Sequence, residues 1–151
     1  MSRSKSLNLG KSMDIVFTIS SIIFNISVSI LYIASKFDNK ELLRISGIIV
    51  ISLIIPFAIT LIGYVKEKES KRIIVSLIFI LFYLFLELLL DYIFIIPFRE
   101  ILLLHIPYIL LFYVAEFSMI GVIFEKNKKM GFVILVTFGI LIVCLIFMYI
   151  D

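Results

Sequence analysis

Long apolar segments alternate with short charged segments along this chain. Five runs each carry about twenty mostly apolar residues, the length of helix that crosses about 30 Å of hydrocarbon. Lone strands cannot satisfy their backbone groups in lipid, and the ten-residue alternation of a membrane barrel is missing. The pattern therefore predicts an all-α polytopic membrane protein, a five-transmembrane-helix bundle that forms one transmembrane domain over residues 1–151. The predicted spans are Met13–Ala34, Ile45–Val65, Ile73–Pro97, Ile101–Phe124 and Gly131–Ile150.

The composition agrees with this pattern and excludes several classes of protein. Hydrophobic residues make up 63% of the chain and charged residues 17%, against about 45–50% and about 25% in ordinary globular domains. A soluble enzyme, a nucleic-acid-binding domain and a disordered tail are excluded by this excess of apolar side chains. We expect a multi-pass protein of the cell membrane whose surroundings are the lipid bilayer, with no nucleic-acid partner and no cofactor.

The basic residues of the tails and connections predict the orientation of the bundle. With five spans, ten of the fourteen Lys and Arg residues fall on the face of the N-terminus, which includes Lys66–Arg72 and Glu125–Met130. The opposite face has four: Lys36, Lys40, Arg44 and Arg99. Because loops rich in Lys and Arg stay in the cytoplasm, the N-terminus is predicted to be cytoplasmic and the C-terminus outside.

Four ionisable residues lie within the third and fourth predicted spans. Glu87 and Asp91 are four residues apart and share a helix face, while His105 and Glu116 are eleven residues, about three turns, apart. The connection Phe98–Glu100 forces these two spans into an antiparallel hairpin. At about 1.5 Å rise per residue, Asp91 and His105 then lie at similar heights, Glu87 lies near the midplane, and Glu116 lies below it.

The first span adds a polar stripe, in which Thr18, Ser21, Asn25 and Ser29 recur at spacings of three and four. Asn25 lies near mid-membrane and needs a partner on another helix. Glu87 is the expected partner, because it lies at a similar depth.

Two prolines bear on the shape of the spans. Pro56, near the middle of the second span, is expected to kink or open that helix and to act as a hinge. Pro107 is a candidate first residue of the fourth span, because proline suits that position. Two starts for the fourth helix therefore stay open, near Ile101 or at Pro107.

Three hypotheses account for a buried acidic site of Glu87, Asp91 and Glu116 with His105 as an outer member. The first is structural. Neutral carboxyls hold the helices together, or bind a partner protein or a second copy, through hydrogen bonds to Asn25, Tyr83 or Tyr113, with Tyr108 nearby. The second is a transporter or channel subunit coupled to protons or cations. The third is an intramembrane metal-dependent enzyme, although the chain carries no His-Glu-x-x-His and no Gly-x-Ser-x-Gly motif.

Overall fold

The structure is a computed structural model that describes residues 2–96 and 101–150. Helices account for 90% of these described residues, which contain no strand. The elements are α1 (Ser2–Lys36), α2 (Lys40–Ser52), α3 (Ile54–Lys66), α4 (Lys71–Glu87) with a π-helical turn (Leu88–Ile93), α5 (Leu102–Lys126) and α6 (Lys128–Tyr149). The predicted all-α class is confirmed.

Among the described residues, five helices are long and apolar enough to cross a membrane, as the sequence predicted. They are Gly10–Lys36, Lys40–Lys66, Lys71–Ile93, Leu102–Lys126 and Lys128–Tyr149, so α2 and α3 together form the second span. The predicted end of the third span at Pro97 and the turn Phe98–Glu100 lie outside the described residues.

The second span is interrupted at Leu53, between α2 and α3. Pro56 has no N–H to donate to the Ser52 carbonyl, and its ring crowds that carbonyl, so the helix cannot run straight through. The Leu53 N–H instead donates to the Val50 carbonyl at 3.2 Å, a tightened turn. The interruption lies where Pro56 was expected to produce one, while hinge movement there stays a prediction.

The third span changes helix type at its polar residues. After Glu87 the chain forms the π-helical turn, in which the Phe94 N–H donates to the Leu89 carbonyl at 2.8 Å, five residues back. Ile95 then takes φ 50°, a left-handed conformation that is costly for a β-branched side chain. In the described residues the helical part of this span therefore ends at Ile93, because the wider turn and Ile95 terminate it.

The fourth span begins well before its proline. α5 starts at Leu102 and contains Pro107 within its second turn. The alternative start at Pro107 is therefore wrong: Pro107 is the sixth residue of the helix, which tolerates the loss of one hydrogen bond to the Leu103 carbonyl near its N-terminus.

α1 is the central helix of the bundle and packs against α2, α3, α5 and α6. Half of its spanning segment is buried, against 17–33% for the other spans. Its hydroxyls donate to carbonyls of their own helix, for example Ser21 to Phe17 at 2.9 Å and Ser29 to Asn25 at 2.7 Å. The hydroxyls of this stripe thus have hydrogen-bond acceptors within α1, and the small side chains let neighbouring helices approach closely.

Two glycines of α6 provide a matched test of this packing. A Cβ on Gly131 would lie 2.6–2.8 Å from ring atoms of Phe124, whereas a Cβ on Gly139 would meet nothing within 4 Å. We expect Gly131→Ala to lower the free energy of unfolding by about 1–3 kcal/mol through overpacking. Gly139→Ala should leave it unchanged or raise it by up to about 1 kcal/mol, because alanine favours helix. Thermal unfolding in detergent checks both, and equal effects would contradict the packing at Gly131.

Candidate functional site

A cavity of about 480 Å³ lies within one end of the bundle and is lined by residues from all five spans. This end, here called the Lys36 end, is where α1 and α6 finish and α2 and α5 begin. Much of its wall is apolar, with Val28, Leu31, Leu43, Val50, Ile109, Leu145 and Met148. The polar lining contains the candidates Glu87, Asp91 and His105 together with five tyrosines: Tyr32, Tyr83, Tyr92, Tyr108 and Tyr149.

Glu87 is the innermost of the cavity carboxyls and is bound by phenols. Its side chain is 6% exposed. Oε2 accepts a hydrogen bond from the Tyr108 hydroxyl and a longer one, of 3.5 Å, from the Tyr83 hydroxyl. The two hydroxyls lie 2.9 Å from each other. The Glu87 carboxyl therefore forms one hydrogen-bonded group with Tyr83 and Tyr108, the two tyrosines that were expected to lie near it.

Asp91 and His105 line the same cavity and are both half-buried. Asp91 reaches it from the π-helical turn, and His105 from the first turns of α5, where its ring stacks near Tyr108 at 6.5 Å between centroids. The His105 Nδ1 atom is buried and has no hydrogen-bond partner among the residues that the structure describes. Both residues thus line one cavity, while their equal height in the membrane stays a prediction.

Glu116 lies apart from this group. It is fully buried, does not line the cavity and faces Asn25 of α1, which is also fully buried. One polar atom of the Asn25 amide lies 2.9 and 3.0 Å from the two Glu116 oxygens, and the other lies 2.8 Å from Thr137 Oγ1. Within residues 10–96 and 101–150, no Lys or Arg forms an ion pair with Glu116. The predicted acidic site is therefore two sites.

Two sequence-based expectations about partners are wrong. Asn25 was expected to bond Glu87, but its amide contacts Glu116 and Thr137, because the rotation of a residue about its helix decides its partner as much as its depth does. Tyr113 was expected to be a partner of the carboxyls, but it is half-buried on α5, packs on Phe112 and does not line the cavity.

A charged cluster at the opposite end, here called the Lys126 end, was not predicted. The Lys126 ammonium pairs with Glu69, lies 3.8 Å from Asp14 Oδ1, and stands over the Tyr64 ring at 4.8 Å. The Tyr64 hydroxyl donates to Asp14 at 2.7 Å. The cluster ties α1, α3 and α5 to the loop before α4. Asp14 could have indicated this cluster from the sequence, because it is an acidic residue just inside the first span on a face otherwise rich in Lys and Arg.

Neither metal ligation nor known relatives add to this description. In the described part of the chain, no group of three or more His, Cys, Asp or Glu side chains is placed to hold a metal ion. The chain matches no protein-family model, no curated protein and no solved structure. The geometry of the two acidic sites is therefore the basis for any functional assignment.

The contact between Asn25 and Glu116 can be tested by a double-mutant cycle. Asn25→Leu leaves a buried carboxyl without its partner, and we expect a loss of about 1–3 kcal/mol in the free energy of unfolding. Adding Glu116→Leu should recover most of that loss, because replacing both partners by apolar groups is nearly neutral. Ser29→Ala, whose hydroxyl bonds within its own helix, is the control. Additive losses in the double variant would contradict the contact.

The Lys126 cluster makes a separate prediction about salt. Lys126→Gln should lower the free energy of unfolding by about 1–2 kcal/mol, since the ammonium is 18% exposed and holds two carboxylates. The difference from wild type should shrink in high salt, which screens partly exposed pairs. Thermal unfolding at two salt concentrations measures this, with the exposed Lys129→Gln as control. A difference that does not depend on salt would argue against ion pairing.

Proposed function

We propose that this chain is a multi-pass membrane protein whose cavity binds a proton or a small cation and takes part in its movement across the membrane. The observation that carries the proposal is the convergence of Glu87, Asp91 and His105 on one cavity lined by all five spans. Ionisable side chains are costly inside a membrane, so those that face a shared cavity are typical of ion and proton pathways.

The charge distribution supports an orientation for this cavity. Ten of the fourteen basic residues of the sequence lie on the N-terminal face, at the Lys126 end. By the positive-inside rule that end is cytoplasmic, so the N-terminus is inside and the C-terminus outside. The cavity, at the Lys36 end, then faces the outer side of the membrane. It forms the outer part of the proposed pathway, with Glu87 as its deepest carboxyl.

The interruption of the second span gives the cavity a means of changing shape. Gly47 and Val50 line the cavity, and both belong to α2, on the Lys36 side of the break at Leu53. A Cβ on Gly47 would lie 2.3 Å from the Tyr92 hydroxyl, so this backbone packs directly against the cavity lining. Movement of α2 about the break, where Pro56 prevents a continuous helix, would open or narrow the cavity while α3 stays in place.

A second function is favoured by the other acidic site. Glu116 holds α5 to α1 through Asn25, and Asn25 reaches α6 through Thr137. This arrangement supports a structural role in helix packing for Glu116, as the first of the three hypotheses held. The two roles belong to different carboxyls, so one chain can have both.

The proposal predicts a flux that depends on Glu87. In proteoliposomes containing a pH-sensitive dye, wild-type protein should move protons, alone or against Na⁺ or K⁺. Glu87→Gln keeps the shape of the side chain but removes its charge. We expect the flux to fall by about tenfold or more. A tenfold change corresponds to the free energy of about one hydrogen bond to a charged group, which this variant loses.

The control for this experiment is Glu41→Gln, the same change at an exposed position in the first turn of α2. It should leave the flux at the wild-type level. If wild-type protein moves neither protons nor any of the common cations, the proposal fails. If Glu87→Gln moves them as fast as wild type, the cavity is not the pathway.

A further inference from the structure

The Asn25 amide lies between an ionisable group and a hydroxyl at the centre of the bundle. Its two polar atoms occupy fixed positions, one 2.9 and 3.0 Å from the Glu116 oxygens and the other 2.8 Å from Thr137 Oγ1. Rotation of the amide by half a turn exchanges its oxygen and nitrogen between these positions without moving any helix. An ionised Glu116 demands the amide nitrogen at its side, because both of its oxygens accept, whereas a protonated Glu116 favours the amide oxygen, which accepts from its hydroxyl.

The first orientation requires Glu116 to carry a proton. Asn25 Oδ1 then faces the carboxyl and accepts a hydrogen bond from its hydroxyl. Asn25 Nδ2 donates to Thr137 Oγ1 at 2.8 Å, and the Thr137 hydroxyl donates to the Ile134 carbonyl at 2.8 Å. The Glu116 hydroxyl, both polar atoms of Asn25 and the Thr137 hydroxyl have partners, and the hydrogen bonds run in one direction from Glu116 to the backbone of α6. If Glu116 were ionised in this orientation, its carboxylate oxygens and Asn25 Oδ1 would face each other as acceptors with no proton between them.

The second orientation is the one that an ionised Glu116 requires. Asn25 Nδ2 then donates to both carboxylate oxygens, at 2.9 and 3.0 Å, and Oδ1 accepts from the Thr137 hydroxyl. Thr137 has one hydroxyl proton, so it must release the Ile134 carbonyl to make this bond. Two hydrogen bonds to the carboxylate help to offset the cost of burying its charge. The direction of the hydrogen bonds between α1 and α6 is reversed.

We propose that Glu116 is a proton-binding site and that its protonation state sets the orientation of the Asn25 amide, which transmits that state to Thr137 on α6. Tyr32 on α1 lies within electrostatic reach of Glu116 as well as of Glu87, Tyr113 and Tyr149. On α4, Tyr83 and Glu87 belong to the cavity group described above. This site is distinct from the cavity, and the inference does not rest on the proposed flux.

Infrared difference spectroscopy on the full chain in lipid tests the proton site. A pH change should produce a protonated-carboxyl band that is absent from Glu116→Gln and retained in Glu87→Gln, the matched control in the cavity. Retention of every such band in Glu116→Gln would overturn the proposal. If Glu116→Gln does not fold, Thr137→Val keeps the carboxyl in place and should shift the pH midpoint of the band. An unchanged midpoint would equally overturn it.

Nuclear magnetic resonance of asparagine side-chain amides tests the switch. With ¹⁵N-labelled asparagine, the Asn25 NH₂ signals, assigned from their loss in Asn25→Leu, should shift with the same pH midpoint as the infrared band. The amide of Asn39, whose oxygen caps α2 at the Leu42 N–H, is an internal control that should not follow that midpoint. Asn25 signals that stay constant while the Glu116 band titrates would overturn the switch. Neither measurement uses flux, so a failure of the proposed proton site and switch is distinguishable from a failure of the proposed cavity function.

Discussion

The close packing of α1 against its neighbours is the constraint on which the rest of the structure depends. In the membrane that we propose as its surroundings, this central helix gains little from the hydrophobic effect, since lipid tails are as apolar as its neighbours. Association must therefore come from contact area and hydrogen bonds. The buried serines of α1 supply close approach by being small and by bonding to their own backbone. Asn25 is different, because its amide reaches two other helices.

This constraint also explains why the acidic residues are divided between two sites. α1 passes through the middle of the bundle, and its Asn25 faces α5 and α6 rather than α4. Glu116 is therefore covered by α1, while Glu87 on the neighbouring hairpin helix opens toward the Lys36 end, where the helices separate around a cavity. One carboxyl is enclosed by helix packing, and the other is bound by phenols at the edge of a space large enough for a ligand.

Much of the fold follows from the sequence, because each span is a local property of about twenty apolar residues. The number of spans, their approximate limits and the break near Pro56 could all be predicted in this way. The partners of the polar residues could not. Depth along a helix follows from residue number, but the partner also depends on the rotation of each helix, which tertiary packing sets. Asn25 and Tyr113 were assigned wrong partners for this reason. The π-helical turn after Glu87 has no marker in its leucine-rich sequence.

The position of Tyr32 relates the two acidic sites to each other. It stands seven residues, about two turns, beyond Asn25 on α1, so both residues lie on the same face. Its phenol lines the cavity and lies within electrostatic reach of both Glu87 and Glu116. A change of charge at either carboxyl therefore acts on one shared group, and low-dielectric surroundings screen such interactions weakly.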